Sequence, residues 1–240
     1  MPQNHPVVSH SEWTAARTQL LEREKAFTRE RDTLTTQQRN LPWELVGKKY
    51  GFVGENGAET LADLFAGKSQ LVIYHFMFPP DASVGCPICS FWADNFNPII
   101  PHLAQRDVTM IAVSRAPYPT IEAYRNRMGW SFKWVSSGGT DFNFDFNASF
   151  TEAELKNKRA LYNFREQDPG EPDREGVSVF YKDDDGRIYH TYSSYARGID
   201  LLNTTYNFLD LTAKGRDEDP DATQNWVRYH DEYRNSSRKH

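Results

Sequence analysis

Residues 71–96 read LVIYHFMFPPDASVGCPICSFWADNF, and the fold turns on them. Leu71 to Phe78 is a near-continuous apolar run of strand length, interrupted by His75. Apolar side chains on both alternations require cover on both faces, the condition of a central strand between layers of helices. Pro79-Pro80 ends it, because proline cannot donate to a sheet ladder. Phe91, Trp92 and Phe96 then recur at helical spacing, so a helix starts close to Cys86. Pro87 suits the first helical position, where its missing N–H has no intrahelical partner to lose. The stretch is strand, loop and helix, with a cysteine at the loop-to-helix turn.

Cys86 and Cys89 are the only cysteines in the chain. Their spacing puts one sulfur just before the first helical turn and the other inside it. A helix start carries free N–H donors and a partial positive charge, which stabilise a thiolate. A Cys-x-x-Cys thiol at such a site can fall from a pKa of ~8.5 to between roughly 3.5 and 7.5. The expected chemistry is a cycled disulfide, with Cys86 attacking and Cys89 resolving the mixed intermediate. Two other readings stay open on these residues: a metal half-site completed by histidines, and a pair of inert core cysteines. His75, in the strand leading to the cysteines, is expected either to move the resolving cysteine's proton or to be a hydrogen-bonded core histidine. Arg115 ends the next buried strand and is expected to bind an anionic substrate group or to form an ion pair. Tyr192, Tyr195 and Arg197 are candidates for the same cleft, and His190 for a third metal ligand. Trp92 is expected in the core and Asp94 on a solvated face.

Outward from this centre, Val108 to Val113 is a second buried strand and Thr120 to Met128 a helix closed by Gly129. Lys49 to Val53 and Ser131 to Val135 read as short strands, and Thr60 to Phe65 as one helical turn. Gly138 to Phe150 is an aromatic-polar loop. Thr151-x-x-Glu154 is a capping box that opens a helix toward Tyr162. Val177 to Tyr181 and Arg187 to Tyr192 flank Asp183-Asp184-Asp185-Gly186, a hairpin signal. Strands alternating with helices, then a hairpin, give an α/β fold with a central mixed sheet flanked by helices. Chemistry is expected at the carboxyl ends of the central strands, where Cys86 lies. Three regions follow: an N-terminal helical extension over 1–41, the α/β domain over 42–213, and a polar, loosely ordered tail over 214–240. In the extension Ser11 is a candidate cap, and Trp13, Leu20, Phe27 and Leu34 recur every seven residues. That stripe is suited to packing on the domain or to a second copy in a homo-oligomer.

The 240 residues carry 28 Lys and Arg against 33 Asp and Glu, a net charge of −5 that gives no pull toward nucleic acid or anionic lipid. No apolar run reaches the ~18 residues of a membrane span, and the start lacks the pattern of a secretory signal. A cytoplasmic protein is expected, with no membrane or nucleic-acid partner and no cofactor.

The runs YHFMFPP (74–80), GCPICSFWADNF (85–96), RDVTMIAVSRAP (106–117), RNRMGWSFKWVSS (125–137), DFNFDF (141–146), GVSVFYKDDDG (176–186) and YHTYSSYARG (189–198) together resemble an uncharacterised bacterial family. Its members are labelled predicted dithiol-disulfide oxidoreductases of the thioredoxin-like superfamily. The resemblance covers roughly residues 20 to 235. It implies a thioredoxin-like fold and a redox site at Cys86 and Cys89, acting on a protein or small-molecule thiol or disulfide. The strand facing the cysteines would begin Gly176-Val177-Ser178, and Pro87, Arg115 and Val177 are then the expected substrate contacts. Active thioredoxins carry a proline just before that strand; here the nearest, Pro172, is expected to lie too far upstream. The loop Pro79 to Gly85 is longer than in thioredoxins and is expected to cover the site or select a substrate. A thiol peroxidase of the same fold is the alternative activity. A copper-binding module using Cys86, Cys89 and His190 or His75 is another.

Overall fold

Ser9 opens the first helix: its hydroxyl accepts the Glu12 N–H, while the Glu12 carboxylate accepts the Ser9 N–H at 2.9 Å. This reciprocal cap stands two residues before Ser11, because Ser9 has the Glu three positions on that completes it. In the computed structural model, which describes residues 5–233, the helix α1 spans His10–Arg39. Residues 1–4 and 234–240, the ends of the expected extension and tail, lie outside the described residues. None of the residues in α1 is buried, and its ion pairs, Arg17 with Glu24 and Lys25 with Glu22, run along the helix itself. The chain divides into two compact units, Met1–Pro42 and Trp43–His240.

The second unit begins with β1 (Glu44–Leu45), β2 (Gly51–Gly54), β3 (Gly57–Thr60) and a helical turn α2 (Leu61–Leu64). The apolar run forms β4 (Gln70–His75), followed by α3 (Pro87–Ala93) and α4 (Ile100–Ala104). Next come β5 (Val108–Ser114), α5 (Tyr118–Arg127), β6 (Trp134–Ser136), α6 (Phe142–Asp145) and α7 (Glu152–Asn157). The chain continues through β7 (Ala160–Tyr162), β8 (Arg165–Gln167), β9 (Gly176–Lys182), β10 (Ile188–Tyr195) and α8 (Thr204–Leu209). Eight strands make one sheet in the order β1-β10-β9-β4-β5-β6-β2-β3. β4 and β5 are parallel neighbours joined through α3 and α4, while β9 pairs antiparallel with β4, and β10 with β9. This fourfold arrangement, flanked by helices, is a thioredoxin-like fold. Among the described residues no helix is long and apolar enough to cross a membrane.

β4 alternates between two cores. Tyr74 and Phe76 point to a face shared with Phe78, Cys89, Trp92, Tyr124 and Trp134. Leu71 and Ile73 point to the other, with Phe52, Val113, Phe142 and Phe180. The aromatic share of the sequence is spent here: the Phe76 and Trp134 rings stand 4.4 Å apart, and Phe142 and Phe146 4.8 Å apart. Such pairs add ~0.5–1.5 kcal/mol beyond burial. Phe142 starts and Phe146 caps α6, a helical turn inside the segment expected as a loop.

Buried polar groups also tie the strands. His75 Nε2 stands 2.9 Å from Ser178 Oγ, that hydroxyl 2.9 Å from Ser193 Oγ, and Ser193 Oγ 2.7 Å from His190 Nε2. His190 Nδ1 then meets Glu44 at 3.3 Å, so the chain crosses β4, β9, β10 and β1 in order. Each member meets its neighbour, as buried polar groups must, although the other ring nitrogen of His75, Nδ1, is buried without a partner among the described residues.

Two segments depart from the expected pattern. The helix opened by Thr151 ends at Asn157, with Lys158 left-handed, and residues 160–167 form a hairpin instead. Its turn, Asn163-Phe164, has φ of 51° and 61°, the two-residue turn that suits strand twist. No glycine announces it, so the helical pattern reads straight through. The segment after Lys214 is also packed more than its polarity suggests, with Val227 3% exposed and Tyr229 set against Tyr124.

Candidate active site

β4 ends at His75, and the next three residues stay beside β5: Phe76 N–H donates to Val113 O and Ala116 N–H to Phe78 O. The loop then returns, with Cys86 N–H donating to Met77 O at 3.2 Å, and α3 starts with Pro87 in its first turn. Gly85 makes the return possible: a Cβ there would stand 2.7 Å from Phe76 Cε1 and 2.8 Å from Tyr124 Cε1. The Tyr229 hydroxyl donates to Gly85 O at 2.7 Å, and the Ser90 hydroxyl to Cys86 O at 2.8 Å. Both ends of the cysteine turn are thereby fixed.

Both cysteines are free thiols, and they differ sharply. Cys86 is half-buried at the N-cap of α3, whereas Cys89 is 0% exposed. The Cys89 thiol beside it, more than the Cys89 and Ile88 backbone N–H groups, holds the Cys86 pKa below the ordinary thiol value, against the effect of burial. Cys89 is pushed well above that value, by burial first and by Cys86 second; its sulfur accepts the Met77 N–H at 3.4 Å. The exposed sulfur is thus the better thiolate and the buried one stays protonated. Below them the Tyr74 hydroxyl is fully buried without a partner of good hydrogen-bond geometry. Burial, and next the charge of Cys89, raise its pKa.

Cys86 opens on a pocket of about 290 Å³ walled by Met77, Pro79, Val84, Pro87 and Tyr229. Pro172 lines it too, so the proline expected to lie too far upstream reaches the site through the loop entering β9, with no cis peptide bond among the described residues. Glu171 and Asp173 are its charged members, and no lysine, arginine or histidine is among the lining residues.

Of the residues expected to act together, Cys86, Cys89 and Pro87 meet here. His75 does not join them. It faces the opposite side of the sheet, stacked on Phe142 and Phe146, and burial pushes its pKa down to about 3. Alternation along β4 gives the cysteine face to Tyr74 instead. Arg115 does not line the pocket itself but is held by a residue that does: its Nε and a terminal nitrogen both meet Asp173 Oδ1 at 2.7 Å, and its guanidinium lies over Phe144. Val177 is buried in the core rather than lining the pocket. His190 belongs to the polar chain on the His75 side, so no histidine completes a metal set with the cysteines; no group of three ligating residues occurs among the described residues. The Tyr195 hydroxyl donates to Phe146 O and Arg197 pairs with Asp200, and neither these residues nor Tyr192 lines the pocket. Trp92 is in the core, but Asp94 is no free surface charge, since its carboxylate meets Trp130 Nε1 at 2.9 Å and His230 Nδ1 at 2.6 Å. Tyr74, Glu171, Asp173 and Tyr229 were not singled out by sequence; the aromatics Trp226, Tyr229 and Tyr233 in an otherwise polar tail were the available sign of the last.

The fold and the turn at Cys86 define the class: a thioredoxin-like protein with two cysteines at the start of the helix after its first central strand. Within that class the chain belongs to the family described as bacterial protein of unknown function (DUF899), whose model matches residues 2–233. Among solved structures it is similar to Xanthomonas campestris peroxiredoxin Q, at 15% identity and a TM-score of 0.43, over 73% of this chain and 93% of that one. It is also similar to peroxidoxin BcpB from Mycobacterium tuberculosis, at 12% identity and a TM-score of 0.40, over 68% and 94%. A yeast mitochondrial 1-Cys peroxiredoxin is similar at 17% identity and a TM-score of 0.43, over 72% and 78%. Comparison with curated proteins gives no match.

Proposed function

We propose that this protein is a thiol–disulfide oxidoreductase. The observation that carries the reading is the asymmetry of the pair: a half-buried Cys86 with a lowered pKa opens on a pocket, and a buried Cys89 with a raised pKa stands next to it. The Cys86 thiolate attacks one sulfur of a substrate disulfide, forms a mixed disulfide and expels the first thiolate, which takes a proton from solvent. Cys89 then gives up its proton and attacks Cys86 Sγ, and the second substrate thiol leaves. Two electrons and two protons pass to the substrate as the protein dithiol becomes a disulfide.

Disulfide exchange fits the pocket better than peroxide reduction. Cleaving an O–O bond places charge on the leaving oxygen, and no cationic side chain lines the pocket to meet it. The test is trapping with Cys89→Ser, which should hold a mixed disulfide on Cys86 that the Cys86→Ser, Cys89→Ser double variant cannot form. Absence of any Cys86 adduct, or rapid peroxide consumption with no disulfide exchange, would overturn the reading.

A further inference from the structure

We propose that the cleft beside Cys86 selects disulfides whose arms are cationic and rejects those whose arms are anionic; the inference rests on the thiol–disulfide reading above and names its substrate class. Asp173 carries it. Its side chain is 4% exposed, and Oδ1 accepts the Arg115 Nε–H and the Ser149 hydroxyl at 2.7 Å each, with a second Arg115 nitrogen also 2.7 Å away. Oδ2 is itself buried and has no hydrogen-bond partner among the described residues. A buried carboxylate normally shares its donors between both oxygens, because an unpaired acceptor in a low-dielectric interior is costly. Here the nearby cation is spent on one oxygen, and the residue that keeps the other unpaired lines the pocket onto which Cys86 opens. A cationic group on a substrate in the pocket would be attracted by this incompletely paired carboxylate without having to touch the buried oxygen.

Most of the remaining charge around the pocket has the same sign, and the nearby cations are engaged, Arg115 on Asp173 and Arg127, over the Tyr229 ring, on Asp231 and Glu232. Glu171 is exposed on the pocket rim, Glu175 acts on Cys86, Cys89 and Tyr74, and Asp81 acts on Asp173. The other walls that shape the opening, Pro79, Val84 and Tyr229, bring no formal charge. Carboxylates behind apolar walls concentrate cations and repel anions, and can raise association rates by about 10-fold or more at low salt. Glutathione-like arms, rich in carboxylate, are the poor fit, whereas short aminoalkyl arms place a positive charge within a few bonds of sulfur.

The test is a single-turnover comparison of the reduced full-length protein with cystamine, 2-hydroxyethyl disulfide and dithiodiglycolate, which carry two ammonium groups, no charge and two carboxylates. Each rate of Cys86–Cys89 disulfide formation, read by mass, is divided by the rate of uncharged dithiothreitol with the same compound, which removes intrinsic reactivity. The expected order is cystamine, then the neutral disulfide, then dithiodiglycolate, with about a tenfold span or more at low ionic strength that closes toward unity in molar salt. Glu171→Gln should narrow the span without abolishing reaction, and Asp173→Asn should narrow it further if its circular dichroism matches the parent. Equal normalised rates, or dithiodiglycolate fastest, with the disulfide still forming, would overturn the charge selection and leave the oxidoreductase reading intact. Failure of all three compounds to oxidise the pair would instead remove that reading, and the selection with it.

Discussion

Cys86 and Cys89 are one helical turn apart, yet burial makes them chemically unlike. Alkylation should display the difference. Iodoacetamide is expected to modify Cys86 with a pH midpoint below the ~8.5 of a free thiol, and to leave Cys89 untouched until the protein unfolds. Equal labelling of both in the folded protein would contradict the burial assigned to Cys89. Tyr74 offers a second residue-scale test. Its buried hydroxyl lacks a well-formed hydrogen bond, so Tyr74→Phe removes a desolvated group without orphaning a partner. Urea denaturation should find that variant unchanged or up to about 1 kcal/mol more stable, whereas a loss of ~1 kcal/mol or more would show that the hydroxyl is held after all. This side chain was hidden in the sequence because alternation in a run apolar on both faces does not say which face receives the cysteines. His75 drew attention as the one polar residue of the strand, and its polarity is answered by Ser178 on the other side.

At the scale of elements, the cysteine turn depends on what clamps it. Gly85→Ala would force its Cβ against Phe76 and Tyr124, two rings already packed in the core. A stability loss of about 1–3 kcal/mol and slower Cys86 alkylation are expected; a variant as stable and as reactive as the parent would show that the turn relaxes freely. The elements themselves were largely legible. The apolar runs give β4 and β5, the Asp-Gly turn gives the β9–β10 hairpin, and Pro87 marks the start of α3. Three things were not. The β7–β8 hairpin turns on Asn163 and Phe164 in left-handed conformations, and an Asn with no glycine after it is too weak a turn signal to interrupt the helical pattern. α6 hides in an aromatic-polar segment because tertiary packing of Phe142 and Phe146, not periodicity, holds it. Pro172 reaches the pocket through a loop path that spacing along the chain does not reveal.

Across the whole molecule, the burial of His75, with His190 nearby, makes stability depend on pH. The folded pKa of His75, about 3, lies below the unfolded value near 6.5. Below 6.5 the unfolded chain takes up a proton that the folded protein refuses, so stability is full above that pH and falls as pH drops toward 3. The complete loss from this group is on the order of 5 kcal/mol. Urea unfolding at pH 7, 6 and 5 should show the decline, and His75→Gln should flatten it; an unchanged slope in the variant would place the pH dependence elsewhere. The composition that first looked merely polar and aromatic acquires a plan at this scale. Rings fill both sides of one sheet, two carboxylates line the pocket at Cys86, and the charged α1 lies in the other compact unit.

The central claim is that the two cysteines cycle, and mass spectrometry of the full-length protein across a glutathione redox series tests it most directly. A loss of two hydrogens at a defined potential, absent in Cys86→Ser and in Cys89→Ser, is predicted. A pair that stays as two thiols at every poise would contradict it.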